Sequence, residues 1–281
     1  MTIAFPEEHM RLLIIGCGSI GTTLAKAVDE IPEIERIYIT DKSKVCAIHL
    51  VEKLHKVKYV DNSDEELLGI IPNIDLVVEA ASQEAAKHFI PFFLEHGVDV
   101  MMMSVGAFAE DAFRERCFAL AKTKGARIYA PSGAVTGTDG LRAASIGTID
   151  EVQLISTKSP KNFSNMEYLK SKGIDINNLK EPTVVFEGTA REAATLFPRN
   201  MNVSATLSLL GVGFDKTKVK IIFDPNTDKN THKVIVRGPF GEFVAETKNV
   251  PFPKNTSTSY LAALSALATI KRLIGNVWIG V

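Results

Sequence analysis

Neither sign of charge dominates this sequence: 32 lysines and arginines stand against 33 aspartates and glutamates, for a net charge of -1. No basic run of the kind that follows a phosphate backbone occurs, which argues against nucleic acid as a partner. Long apolar runs are missing too. None reaches the length of a membrane span, and the N-terminus lacks the charged-then-apolar pattern of a secretory signal, so a cytoplasmic protein without a membrane partner is expected. Cysteine is scarce. The three present, Cys17, Cys46 and Cys117, are odd in number and have no paired spacing, which speaks against a disulfide framework and fits a reducing compartment. No His/Cys/carboxylate cluster has metal-ligand spacing. Internal repeats and low-complexity segments are absent. What remains is an ordinary globular composition on 281 residues, long enough for two domains with separate cores.

One stretch organises the rest. Arg11-Leu-Leu-Ile-Ile-Gly-Cys-Gly-Ser-Ile-Gly21 reads as a buried strand that breaks at Gly16, turns through Gly18, and enters a helix whose first turn holds Ser19, Ile20 and Gly21. This is G-x-G-x-x-G between a strand and an amphipathic helix, the setting in which it signals dinucleotide binding. The first glycine allows a sharp turn, the second lets a pyrophosphate approach bare backbone, and the third lets helix and strand pack closely. Phosphate charge is then met by the free N–H groups at the helix N-terminus. Cys17, inside this loop, reads either as a small buried filler or as a site of oxidation.

A second strand, Arg36–Thr40, ends at Asp41, 25 residues beyond Gly16, and an acid about that far along hydrogen-bonds ribose hydroxyls and favours NAD. Lys42 and Lys44 follow and could reach a 2′-phosphate, which keeps NADP open. Helical patterns over 45–55, 84–96 and 111–124 alternate with strands at 58–60, 75–79, 98–104 and 127–130. That alternation predicts an α/β fold of Rossmann type, a doubly wound parallel sheet. Ligands in such a sheet bind beyond the carboxyl ends of the strands, so Ala80, Ala81 and Ser82, the Ser104–Ala107 stretch with Gly106, and Pro131–Ala134 are expected in one crevice. The triple methionine Met101–Met103 reads as sheet core.

Past Pro131 the texture changes to a glycine-rich segment and then mostly strands, at 152–157, 183–187, 219–224, 231–237 and 241–248. Helical patterns at 189–196 and 203–210 interrupt them. This predicts a second, α+β domain with an open sheet carrying helices on one face, serving catalysis and dimerisation. The expected boundaries are 1–131 for the nucleotide domain, 132–256 for the second, and 257–281 for a final apolar helix returning to the first.

Of the six histidines, those on the nucleotide-domain helices suit solvated or packing roles. His232, at the start of a strand in the second domain, is either a proton carrier or an ordinary strand-end histidine. Phe197-Pro-Arg-Asn-Met-Asn-Val203 holds a second polar cluster. A helix cap accounts for Asn200 or Asn202, but not for both together with Arg199. The N–H groups of Ser132, Gly133 and Ala134 suit a carboxylate.

Taken together, Gly16-Cys-Gly-Ser-Ile-Gly21, Val78–Gln83, Ser104–Phe108, Ser132–Leu141, Phe186-Glu-Gly188, Phe197–Leu207, Asn230-Thr-His232 and Thr258–Leu264 resemble the L-aspartate dehydrogenase family. Their order and spacing make the resemblance specific from about Met10 onward. It implies NAD(P)-dependent oxidation of L-aspartate to iminoaspartate, which either hydrolyses to oxaloacetate and ammonia or feeds quinolinate synthesis, and it implies a homodimer. The family's active-site histidine falls on His232. Its cofactor-contacting alanine and asparagine fall on Ala134 and on Asn200 or Asn202. The two substrate carboxylates then need partners, for which the Ser132–Ala134 backbone, Arg199 and Lys158 are candidates. The sequence departs from the family pattern at Val135-Thr-Gly137 and Asn255–Ser259, and carries an insertion at Lys161–Leu179, read as a surface excursion or dimer contact. Two other readings share the two-domain plan: another amino-acid-pathway dehydrogenase of homoserine dehydrogenase or dihydrodipicolinate reductase type, and a non-catalytic sensor of NAD(H).

Overall fold

The computed structural model describes residues 9–160, 166–176, 178–197, 201–253 and 255–279. They divide into two compact units. The first takes the chain through Ser104, Ala112–Pro131 and Ala266–Ile279, and the second takes Val105–Asp111 and Ser132–Ser265.

The first unit alternates strand and helix: β1 (Met10–Ile15), α1 (Ser19–Asp29), β2 (Ile34–Thr40), α2 (Lys44–Val51), β3 (Val57–Tyr59), α3 (Asp64–Ile70), β4 (Leu76–Glu79), α4 (Gln83–Glu95), β5 (Asp99–Met102), α5 (Asp111–Lys124) and β6 (Ile128–Tyr129). The strands pair in parallel in the order β3-β2-β1-β4-β5-β6. Leu12 to Ile15, Leu76 to Val78 and Val100 to Met103 are buried on both sides of the chain, as a sheet covered on both faces demands. The methionine run is sheet core. Strand order reverses between β1 and β4, and in a fold of this kind that reversal is where the loops part to admit a ligand. Helix α2 stops earlier than its apolar pattern suggests. The Asp29 carboxylate accepts from the N–H groups of His55 and Lys56 at 3.0 and 2.8 Å, which draws the chain out of helix and into β3.

The second unit contains α6 (Thr138–Ala144), β7 (Glu151–Lys158), α7 (Met166–Ser171), β8 (Thr183–Thr189), α8 (Ala190–Leu196), α9 (Asn202–Leu210), β9 (Lys218–Phe223), β10 (Asn230–Gly238), β11 (Gly241–Asn249) and a small ladder of β12 (Pro251–Phe252) with β13 (Asn255–Ser259). Helix α10 (Tyr260–Ile274) begins in this unit, and from Ala266 onward it is counted with the first. The main sheet runs β11-β10-β7-β9-β8, with β7 and β9 parallel and every other pair antiparallel. One face is apolar over most of its length, through Val152 and Leu154 of β7, Val219 and Ile221 of β9, and Val234 and Val236 of β10. The alternation of buried and open positions along β7 and β10 is that of a sheet with one covered face.

Two features differ from expectation. The Val105–Ala109 stretch forms a short 3-10 helix that belongs to the second unit although it directly follows β5. It is held there by the Gly106 N–H, which donates to Asn202 Oδ1 at 3.0 Å, and by Arg191, which donates to the Ala109 carbonyl and to Asp111. The insertion after β7 is also more than a surface excursion in its described part. Leu169 is fully buried, and the Tyr168 ring meets Phe186 and Phe197, so α7 packs onto β8 and the end of α8.

Candidate functional site

In the first unit the glycine loop is built by close approach. Gly16 has φ +107°, and a Cβ placed on it would lie 2.7 Å from the Ala80 carbonyl oxygen; on Gly21 a Cβ would lie 1.9 Å from the Gly16 carbonyl oxygen. The loop is thus pressed against the end of β4 on one side and against its own helix on the other, and Ala80 and Ala81 stand beside it. Gly18 is different. A Cβ there would meet nothing within 4 Å, so the loop is open where backbone would face an incoming group. Helix α1 begins at Ser19 with neither a side-chain cap nor an acid in its first turn. Its leading N–H groups, including those of Ser19, Ile20 and Gly21, therefore have no side-chain acceptor, the condition that suits a phosphate. On these grounds the loop fits a dinucleotide.

Asp41 fastens the loop to β2. Its Oδ2 accepts from the Cys17 N–H and its Oδ1 from the Ser43 N–H, both at 2.7 Å. Each oxygen keeps lone-pair capacity for a ribose hydroxyl. Of the two lysines that follow, Lys42 is exposed, and Lys44 lies over the Tyr59 ring with its Nζ 5.2 Å from the centroid. Cys17 is buried, and its thiol is pushed up by that burial and by Cys46 and Asp41. A thiol held protonated is a poor target for oxidants, which favours the filler reading.

At the end of β4 lies a residue that the sequence reading passed over. Glu79 is fully buried. Its Oε1 accepts from the Ala81 N–H and the Ser104 hydroxyl, both at 2.9 Å, and its Oε2 from the Ser104 N–H at 3.0 Å, with the Ser82 N–H as a further donor. Burial raises its pKa against the opposing pull of these hydrogen bonds. Ala81, Ser82 and Ser104 are thus gathered on one carboxylate. Ser82 also caps α4, its Oγ accepting from the Ala85 N–H at 3.1 Å. The signal available in the sequence was an acid at the end of an otherwise apolar strand.

The second unit gathers its own group of candidates at the polar end of the buried sheet face. His232 and Ser156 are directly paired across β10 and β7, and Ser156 Oγ lies 3.1 Å from His232 Nδ1. Burial, with the nearby charge of Lys158, pushes the imidazole down to about 3, and burial pushes the Lys158 amine down to about 8. Thr247 is paired with His232 across β11, and Asn249 with Asn230. Thr247 Oγ1 and Asn249 Nδ2 both donate to the Ala134 carbonyl, at 3.0 and 2.9 Å, which ties the Ser132–Ala134 turn to the strand beside His232. The Gly133 N–H is not left for a carboxylate; it donates to Ser265 Oγ at 3.0 Å. Asn202 does not cap α9, since its Oδ1 is engaged by Gly106. Arg199 and Asn200 lie outside the described residues. Ser156, Thr247 and Asn249 were missed. Their trace in the sequence is the polar change at one end of β7, where Val152 and Leu154 give way on the same face to Ser156 and Lys158.

The chain matches the family model described as aspartate dehydrogenase, C-terminal, over residues 139–273, and the model of the homoserine dehydrogenase NAD binding domain over residues 16–131. The L-aspartate dehydrogenase of Methanococcoides burtonii is 43% identical over 272 residues, covering 96% of this chain and 99% of the relative. The chain belongs to the L-aspartate dehydrogenase family. Within that family, the L-aspartate dehydrogenase of Nitrosopumilus maritimus is 41% identical, with 93% of this chain and 96% of the relative covered. The crystal structure of aspartate dehydrogenase from Thermotoga maritima superposes with a TM-score of 0.73 at 34% identity, over 96% of this chain and 99% of that one. Both units described above are therefore features of the L-aspartate dehydrogenase fold, and the family carries a nucleotide domain of the kind the glycine loop indicates.

Proposed function

We propose that this protein is an NAD(P)-dependent L-aspartate dehydrogenase that oxidises L-aspartate to iminoaspartate, which goes on to oxaloacetate and ammonia or into quinolinate synthesis. The near full-length likeness to enzymes of that name carries the reading. The first unit supports it with a glycine loop shaped for a dinucleotide, and the second with a buried histidine hydrogen-bonded to Ser156. When bound, the nicotinamide accepts the hydride from the substrate Cα.

Each part of the chain has a task in this reading. Gly16, Gly18, Ser19, Ile20 and Gly21 hold the pyrophosphate, Asp41 the ribose, and Ala80, Ala81, Ser82 and Ser104 line the way to the nicotinamide. Asp41 favours NAD, and Lys42 leaves room for NADP. Gly106, Ala134 and Asn202 also serve the cofactor. Ser132, Gly133 and Lys158 serve the substrate, Gly133 through its shape in the turn, because its N–H is occupied. His232 handles the proton or orients the water that does, a role worth about 10² to 10⁴ in rate. The working form is a cytoplasmic homodimer. In support of the dimer, β11 pairs on one side only among the described residues and exposes Val244, with Phe240 exposed just before it.

The test is reduction of NAD and NADP by L-aspartate, wild type beside His232→Ala, with homoserine as control substrate. The expected result is turnover with aspartate that falls about 100-fold or more in the variant while NADH still binds. Variant activity equal to wild type would remove His232 from the chemistry. A wild type inactive with aspartate and active with homoserine would replace the substrate.

A further inference from the structure

Lys158 occupies an unusual place for a lysine. Ser156 and Lys158 are two apart on β7 and so share the face that carries His232, and the register that pairs Thr157 with Thr231 puts Lys158 level with Asn230. Asn230 is buried and donates to the Thr256 carbonyl. On the other side β7 lies against β9, where Lys158 pairs with the fully buried Phe223. The amine thus sits at the polar end of a covered sheet face, with apolar side chains behind it.

No carboxylate answers it among the described residues. Asp224, next along from β9, accepts from the Asn226 N–H. Glu151, at the far end of β7, is held by Lys218 and Arg237, and on β11 Glu246 pairs with Lys248. The titratable group that faces Lys158 is His232, a second base of the same charge type. A half-buried lysine beside a neutral imidazole, with no acid at hand, holds its proton less tightly than a solvated one, because burial penalises the charged form. His232, pushed down to about 3, is too weak a base to relieve an α-ammonium group of its proton, whereas Lys158, at about 8, is matched to that task.

We propose that Lys158 is a further catalytic residue, the base that accepts the α-ammonium proton of the substrate, while His232, hydrogen-bonded to Ser156, orients the water through which that proton leaves. This rests on the L-aspartate dehydrogenase reading. The neutral amine takes one proton from the substrate –NH₃⁺ and becomes –NH₃⁺ itself, leaving a substrate –NH₂ with a lone pair. That pair forms the C=N bond as the Cα–H bond breaks and its two electrons leave with the hydrogen to the oxidised nicotinamide. The substrate carbon is oxidised, the nicotinamide is reduced, and the proton on Lys158 returns to water.

The experiment is the pH dependence of kcat/KM for L-aspartate in wild type, Lys158→Met and Lys158→Arg, with NADH binding as the check that each variant is folded. Wild type should lose activity as pH falls through about 8. Both variants should lose about 100-fold or more and show no such limb, because arginine keeps the charge but does not release its proton. In parallel, acylation of Lys158 by an anhydride reagent, read by mass spectrometry, should half-saturate near the same pH without any turnover being needed. An arginine variant with activity within about threefold of wild type would reduce Lys158 to a fixed charge for a carboxylate and overturn the proposal alone. A Lys158 that acylates only above the ordinary lysine range would overturn it as well. Wild type inactive with L-aspartate would overturn the underlying reading and this proposal together.

Discussion

A carboxylate shut away from water must be answered donor by donor, and Glu79 is answered by three backbone N–H groups and a hydroxyl. None of these donors can turn to accept except the hydroxyl. Replacing one carboxylate oxygen with an amide –NH₂ therefore sets donor against donor. Glu79→Gln should destabilise the protein by about 1.5 to 3 kcal/mol, the scale of hydrogen bonds to a buried charged group, measurable by urea unfolding. It should also weaken NADH binding, because Ala81, Ser82 and Ser104 lose their common anchor. A Glu79→Gln protein as stable as wild type would mean that the donors find other acceptors. Glu79 was legible as a strand end and no more. Its importance arises from Ser104, 25 residues further on, and nothing in local sequence announces that pairing. His232 had the opposite history: its type and setting marked it early, while the Ser156 and Thr247 that flank it come from other strands and were invisible until register was known.

At the scale of elements, the parallel sheet was readable because continuous apolar strands alternating with amphipathic helices have few other ways to bury themselves. What escaped were elements whose shape depends on distant partners: the early end of α2, set by Asp29; the 3-10 segment after β5, set by Asn202 and Arg191; and the short ladder of β12 and β13. The glycine loop lends itself to a paired test. Gly18 has φ -69° and open space around a Cβ, whereas Gly21 has none. Gly18→Ala should fold with a Tm near wild type yet bind NADH about tenfold or more weakly, a loss of about 1.4 kcal/mol, since the added methyl stands where phosphate must approach. Gly21→Ala should lower stability by about 1 to 3 kcal/mol or more, as overpacking does. Equal effects on stability and binding in both variants would contradict the division of labour between the two glycines. Calorimetry with and without NADH measures both quantities.

For the whole molecule, stability should carry the mark of His232 in its response to acid. The folded-state pKa is about 3, below the unfolded value of 6.5, so the native protein binds fewer protons between those limits. Stability present above about pH 6.5 is therefore lost as pH falls towards 3, by up to about 1.4 kcal/mol per pH unit. Comparing wild type with His232→Gln isolates this contribution: the difference in unfolding free energy should shift against wild type from pH 7 to pH 4. A difference independent of pH would show that the imidazole takes up its proton in the fold as readily as in the unfolded chain.

The path of the chain has one more consequence. Val105–Asp111 is assigned to the second unit although the first unit's sequence surrounds it, and α10 changes membership at Ala266. No single cut in the gene can yield both units whole. A fragment starting at Ser132 would lack the backbone that Asn202 and Arg191 hold, and one ending at Pro131 would lack the tail of α10. Shuffling of whole cassettes is thus closed to this protein as a route to novelty. Change has to come residue by residue, with both units inherited together.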